Sequence, residues 1–478
     1  MVYRDLRSFL EKLESEGQLL RVTQKVNLEP DLGSAARAIN NLGDQSPALL
    51  FNNIHGYKNG RVALNVIGSW PNHALMMGLP KDTPVKEQFL EFARRWSHYP
   101  VPVERVDSAP FQANVITENI NLFDILPLFR LNREDSGCFI DKACVISRDL
   151  DDPDHFGKQN TGIYRLQVKG KDRLGIQPIP THDIGIHLRI AEERGENLPV
   201  AIAIGCDPVI TTIAGSPLTY EQSEYEMAGA IQGAPYRIVR LKNTNLDIPW
   251  GAEVVLEGEI IAGKRELEGP FGEFTGSYSD ARLQPIVQVK KVYFRDHPIF
   301  EHLYLGMSWT EMDYMTSINT CVPLYHQLKE AFPEVEAVNA MYNQGLVAII
   351  STKTRFGGFA KAVGVRAMTT PHGLGYCKIV IVVDDFVDPF NLPQVMWALA
   401  TRVAPDKDLV VIPNASVLSL DPSSEPPGIT HKLIIDATTP KAPESRSQFA
   451  PSVEPPRDTV KWEKILKELM NKQGVDLH

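Results

Sequence analysis

The chain has 478 residues, 43% hydrophobic and 23% charged, with a formal net charge of -10. At about 150 residues per domain that length makes two or three domains with ample core, and the balance of residue types excludes a disordered or fibrous chain. The acidic balance, with no block of Lys and Arg, excludes a nucleic-acid partner, which needs basic residues gathered on one face.

The first predicted element is an amphipathic helix, because Leu6, Phe9, Leu10 and Leu13 recur at helical spacing and Gly17 follows as a stop. Short apolar runs at 48–51 and 62–67 read as buried strands, so residues 1–105 form a small α/β domain closed by the linker Pro100-Val101-Pro102-Val103. Residues 106–320 change texture to many β-like runs between Gly and Pro, for example 143–146, 164–168 and 252–261, the pattern of a barrel or sandwich. Its main helix candidate is 221–231. Residues 321–440 alternate apolar strands (346–350, 379–383) with helical stretches, the mark of a parallel α/β layer. Residues 441–478 read as an extended, Pro-rich arm and a terminal helix carrying Trp462, Ile465, Leu466 and Leu469, expected to dock on a neighbouring subunit or a distant domain.

The five cysteines, Cys138, Cys144, Cys206, Cys321 and Cys377, include no Cys-x-x-Cys pair and read as small core residues in a reducing compartment. The N-terminal segment is charged, and no apolar run approaches the ~20 residues of a membrane span. The expectation is a cytoplasmic protein with no membrane contact.

Glu268-Gly269-Pro270-Phe271-Gly272-Glu273 is the most informative stretch. Pro fixes one backbone angle and Gly supplies positive φ, so two carboxylates are held on a rigid bend. Carboxylates held close separate in pKa, and one can keep a proton near neutral pH for general acid work. Arg165 offers a planar fork that can dock a carboxylate and pair with a glutamate. Asn160, His182 and Glu224 carry oxygen and nitrogen donors suited to magnesium or manganese. His182 and His187 are five apart, wrong for one helical face, and no His-Glu-x-x-His occurs, which argues against a zinc hydrolase. His372-Gly373-Leu374-Gly375 precedes a strand instead of opening a helix, so it is no dinucleotide fingerprint.

Taken in order, Asn160-x4-Arg165, Thr181-His182, Ser223-Glu224-Tyr225-x2-Ala228-Gly229, the Glu268–Glu273 stretch and Lys378-x-Val380-x-Val382-Val383-Asp384-Asp385 resemble the UbiD-type reversible decarboxylases. The segments 47–54, 67–73 and 428–432 look like the subgroup formed by the large subunit of hydroxyarylic (phenolic) acid decarboxylases. The resemblance implies a split β-barrel flavin-binding domain between a small N-terminal α/β domain and a C-terminal α/β domain that builds a homo-oligomer, a dimer or hexamer. It implies prenylated flavin mononucleotide as cofactor, held through manganese or magnesium on Asn160, His182 and Glu224 with potassium close by, and Lys378 as a further cofactor contact. Arg165, Glu268 and Glu273 would be the catalytic residues, Arg165 also touching cofactor. The reaction would be reversible decarboxylation of 4-hydroxybenzoate, vanillate or protocatechuate in aromatic compound catabolism, releasing carbon dioxide. A flavin prenyltransferase would supply the cofactor, and a small accessory subunit is a further expected partner. His302 and His431 are candidates for the substrate hydroxyl. The rival readings are a conventional flavin oxidoreductase and a non-catalytic cofactor-carrier subunit.

Overall fold

The computed structural model describes residues 3–444, 453 and 456–473. The expected first helix forms as Leu6–Ser15. Asp5 caps it by accepting the Ser8 N–H at 2.9 Å while the Ser8 hydroxyl accepts the Asp5 N–H, and its apolar stripe is buried. Beside it strands Leu19–Val22, Ala48–Phe51 and Arg61–Leu64 form a sheet whose fourth strand, Ile299–Glu301, arrives from far along the chain and pairs in parallel with Arg61–Leu64. That pairing fastens the N-terminal unit to the central one.

The centre is an open nine-stranded antiparallel sheet, a half-barrel whose longest members are Val254–Glu268 and Arg282–Phe294. These two form a hairpin whose tip carries the Gly-Pro-Phe-Gly bend, with Glu268 opposite Arg282 in the register. Strands Gln159–Ile163 and Leu166–Val168 leave Arg165 at the break between them. The sequence pattern predicts few helices in this region apart from 221–231, found as Glu224–Gln232. The structure adds Asp183–Glu193, Pro208–Ala214, Glu311–Met315 and the first residues of Ile318–Lys329. Every residue of Pro208–Ala214 is buried, so it shows no amphipathic period for a sequence pattern to reveal.

Beyond it lies a five-stranded mixed sheet. Val347–Thr352, Ile379–Asp384 and Ile429–Ala437 run parallel at its centre, as expected, but Val335–Tyr342 and Leu409–Ser416 add antiparallel edges. The short helix Pro371–Gly375 sits at one end of this layer. Its last carbonyls, Gly373 and Leu374, each accept from the Lys432 ammonium at 2.9 Å. The terminal helix is Thr459–Gln473, with Trp462 and Leu466 at least half exposed, while much of the expected arm falls outside the described residues. Among the described residues no helix is long and apolar enough to cross a membrane.

Candidate active site

The hairpin tip brings the two predicted carboxylates onto opposite sides of one guanidinium. Arg165 donates from Nε and Nη2 to both oxygens of Glu268, at 2.9 and 2.8 Å, and from Nη1 to Glu273. The same Nη1 reaches the Ser279 hydroxyl at 3.2 Å. The ring of Phe271 lies under the guanidinium, 5.1 Å from its carbon, and packs in turn on Phe139. Burial pushes the Glu273 carboxyl above the ordinary carboxylate range. Arg165 opposes that rise and the charge of Glu268 adds to it. Gly269, at φ +90°, is needed where the strand turns, and a side chain there would meet the Asp280 carbonyl.

Glu273 also lines a cleft of about 170 Å³, formed by the hairpin loop around Tyr278 and by a C-terminal segment that includes Asp421. From the C-terminal side Tyr376 comes near enough to Glu273 to feel its charge. Its phenol is raised to about 12 by burial and by the nearby Glu273 carboxylate, and its ring stacks on His372 with centroids 4.4 Å apart. His372, Tyr376, Phe271 and Ser279 carry no chemical signal in the sequence. The Gly-x-Gly beside His372 suggests at most a nucleotide loop, whereas here it belongs to a short helix presenting two stacked rings.

The predicted metal ligands gather around Tyr164. Its hydroxyl accepts from the Asn160 amide at 3.4 Å, and its ring centroid lies 6.3 Å from that of His182. Gly162 permits this, since a Cβ there would fall 2.5 Å from the Tyr164 ring. Glu224 is buried at the first turn of its helix, accepts the Thr161 N–H at 3.1 Å, and has no ion-pair partner among the described residues. Its carboxyl is pushed well up by burial and by the neighbouring Asp183, while burial pushes the His182 imidazole down, towards the neutral form that can ligate. Among the described residues no three His, Cys, Asp or Glu side chains converge as a ready metal cluster. One amide, one imidazole and a buried carboxylate lacking a cation are nonetheless a donor set that fits a hard divalent ion. The two helix N-termini, at His182 and Ser223, favour an anionic group such as a phosphate nearby.

The other predicted residues lie apart from these two clusters. Lys378 bonds to Asp421 at 2.8 Å and Ser423 at 2.9 Å. His431 is exposed on the strand Ile429–Ala437. His302 is wholly buried between Phe129 and Phe300, with Nδ1 on Asp141 and Nε2 without a partner among the described residues.

Three family models cover the chain in order: the 3-octaprenyl-4-hydroxybenzoate carboxy-lyase N-terminal domain over residues 10–90, the Rift-related domain over 104–308 and the C-terminal domain over 313–437. The chain belongs to the UbiD family. It is therefore a carboxy-lyase. It is 70% identical to a phenolic acid decarboxylase of Bacillus subtilis over 99% of this chain and 100% of that one. Among solved structures it matches the vanillic acid decarboxylase of Sedimentibacter hydroxybenzoicus in closed form, with a TM-score of 0.93 at 55% identity over 98% of this chain and 99% of the other. It also matches the UbiD-class enzyme HmfF of Pelotomaculum thermopropionicum in complex with FMN, with a TM-score of 0.82 at 31% identity over 96% and 99% of the two chains. An evolved dimeric form of that enzyme is known in complex with prFMN, at a TM-score of 0.81 and 29% identity over 97% and 100%.

Proposed function

We propose that this UbiD-family chain decarboxylates a hydroxylated aromatic acid of the 4-hydroxybenzoate, vanillate or protocatechuate type, and does so reversibly with prenylated flavin mononucleotide. The observation that carries the reading is the guanidinium gripped between Glu268 and Glu273 at the mouth of a cleft. The names of the similar phenolic and vanillic acid decarboxylases support the substrate class.

Glu268 holds Arg165 side-on through two of its nitrogens and so fixes the direction of the third. A proton on Glu273 weakens that residue's claim on Nη1, and the freed N–H docks the substrate carboxylate. A prenylated flavin, when bound, supplies the electron sink that an aromatic ring lacks for an in-plane electron pair. The bond between the ring and its carboxylate carbon breaks, carbon dioxide departs, and Glu273 gives its proton to the ring carbon that keeps the electron pair. Solvent reaching the cleft restores the proton. Asn160, His182 and Glu224 would hold a divalent ion, manganese or magnesium, whose charge would offset the buried carboxylate and favour an anionic cofactor group nearby. Neither imidazole considered for the ring hydroxyl lines the cleft, since His302 is enclosed between Phe129 and Phe300 with Asp141 on its Nδ1 and His431 is exposed on its strand, so the reading gives the hydroxyl no histidine.

A flavin prenyltransferase supplies the cofactor in this reading, and a small accessory subunit remains a further partner. The exposed apolar residues Val460, Trp462, Leu466 and Leu469 of the terminal helix favour a homo-oligomer, dimer or hexamer, in which they are covered by another copy of the chain. The five unpaired cysteines suit a cytoplasmic location.

The test is coexpression with a flavin prenyltransferase without oxygen, followed by a visible spectrum and a carbon dioxide assay over hydroxybenzoates. Glu273→Gln should keep the cofactor spectrum and lose turnover by about 10³-fold, within the range of general acid catalysis. A fully active variant would end the assignment. Flavin bleaching by a nicotinamide donor with no carbon dioxide released would favour an oxidoreductase instead.

A further inference from the structure

The bend that carries Glu273 is held from beneath by a segment that no part of the proposed chemistry uses. Asp135 is buried, and its two oxygens accept two backbone N–H groups, Gly272 at 2.7 Å and Asn132 at 2.8 Å. The neighbouring Ser136 N–H donates to the Pro270 carbonyl at 2.9 Å, and the Glu134 N–H reaches the Tyr278 hydroxyl at 3.1 Å. Three consecutive residues thus grip the hairpin loop at Pro270, Gly272 and Tyr278. The segment is itself anchored. The Asn132 amide donates to the Leu305 carbonyl at 3.0 Å, and Gln167 donates to the Ser136 carbonyl at 2.7 Å. Asn132 also fits closely against the bend, since a Cβ on Gly272 would fall 2.5 Å from its Nδ2.

None of these contacts touches Glu273 itself; they hold its neighbours Pro270, Gly272 and Tyr278 in the loop. The bond from Gly272 is charge-assisted and enclosed, and Gly272 is the residue immediately before Glu273, so its loss lets the carboxyl drift relative to Arg165. We propose that Asp135 is a positioning residue that fixes where the Glu273 proton is delivered, acting through the Gly272 N–H with Asn132 as its backing. The inference rests on the proposed role of Glu273.

The experiment uses the cofactor-loaded full chain. In Asp135→Asn the side-chain nitrogen must face one of the two backbone N–H groups, donor against donor. The expected result is a fall in kcat of about tenfold to a hundredfold, the usual consequence of misplacing a reacting group by up to an ångström. KM and the cofactor spectrum should stay within about twofold, because Glu268, on the strand before the bend, still holds Arg165 through two nitrogens and the residues proposed to hold the cofactor lie apart from it. Exchange of the product's ring hydrogen in deuterated water should slow in parallel, which a loss of folded protein alone would not produce once rates are referred to loaded sites.

If Asp135→Asn does not fold, Gly272→Ala moves the bend without touching Asp135. It should lower kcat about tenfold, and Asn132→Ala in the same chain, which makes room for the new Cβ, should recover most of the loss. The proposal is overturned if Glu273→Gln is inactive while Asp135→Asn, or Gly272→Ala in its place, keeps kcat and exchange at the wild-type level. If Glu273→Gln is itself active, the proton-donor reading has failed and this inference goes with it.

Discussion

Two cations in this molecule each stand between two glutamates, and only one of them faces a cleft. Lys142 bonds Glu301 at 2.7 Å and Glu311 at 2.6 Å with all three side chains enclosed, whereas Arg165 stands between Glu268 and Glu273 at the hairpin tip. One positive charge against two carboxyl groups leaves each cluster balanced only when a carboxyl keeps a proton. Burial accordingly raises Glu301 to about 7 and raises Glu273 as well. Both clusters can therefore store a proton, but only that of Glu273 borders a space a substrate could enter. The ammonium of Lys142 is a point charge, while Arg165 fixes three donor directions. A stored proton becomes useful when a fixed direction and an access route are added.

The largest expected effect breaks the closed cluster. Lys142→Met leaves two carboxyl groups facing each other in the core, and removing one partner of a buried ionic group costs about 3–5 kcal/mol. Burial alone would lower the Lys142 pKa, but the two glutamates outweigh it and keep it raised, so the lost charge is a compensated one. Denaturant unfolding should show the loss, and turnover per folded, cofactor-loaded molecule should be unchanged. A selective loss of turnover with stability intact would mean that the two clusters are not distinct in role.

Next comes the fork itself. Arg165→Lys retains the charge but cannot bond Glu268 through two nitrogens while reaching Glu273 and Ser279 through a third. A fall of about a hundredfold in kcat/KM, some 2.7 kcal/mol, is expected with folding preserved. Wild-type turnover in the lysine variant would show that direction is irrelevant and charge sufficient.

The pH behaviour sharpens the comparison further. Glu273 has a raised folded pKa, so its contribution to stability is fully present below the ordinary carboxylate value and is lost as pH rises through the raised one. Glu273→Gln removes that dependence, and its stability relative to wild type should improve as pH climbs through that window, by at most about 1.4 kcal/mol per pH unit. Decarboxylation by wild type should fall over the same window as the proton is lost. Parallel stability curves for the two proteins across that range would show that Glu273 does not titrate there.

The sequence made some of this legible and hid the rest for physical reasons. The bend at Glu268–Glu273 could be found because Gly and Pro mark backbone geometry and two acids five residues apart mark chemistry. The meeting with Arg165 could not be derived from spacing, since it closes over more than a hundred residues of chain through sheet register, and it entered through family resemblance. Strands such as Ala48–Phe51 and Ile379–Asp384 were visible as apolar runs. The helix Pro208–Ala214 was not, because a segment buried on every side carries no period. Asp135 and Tyr376 were invisible for a different cause: each matters through a neighbour that only the folded chain supplies, Gly272 for one and Glu273 for the other.

The smallest expected effect concerns Lys378, expected from resemblance to touch the cofactor. Its ammonium is bound by Asp421 and Ser423, on the segment that forms the far wall of the Glu273 cleft. The contact is one-fifth exposed at the lysine and buried at Asp421, so it is worth about 1 kcal/mol, the upper end of the range for exposed pairs. Asp421 still organises its own loop by accepting from the Ser423 N–H and hydroxyl, which Asp421→Asn can preserve through Oδ1. That variant sets its amide nitrogen against the Lys378 ammonium, donor to donor, so it should lose the ion pair at a cost of about 1 kcal/mol with flavin loading unaltered. Lys378→Met decides between the two roles of the lysine. Unchanged flavin absorbance per chain would make it a fastener of the cleft wall, whereas a marked drop in loading, with Asp421→Asn loading normally, would return it to the cofactor.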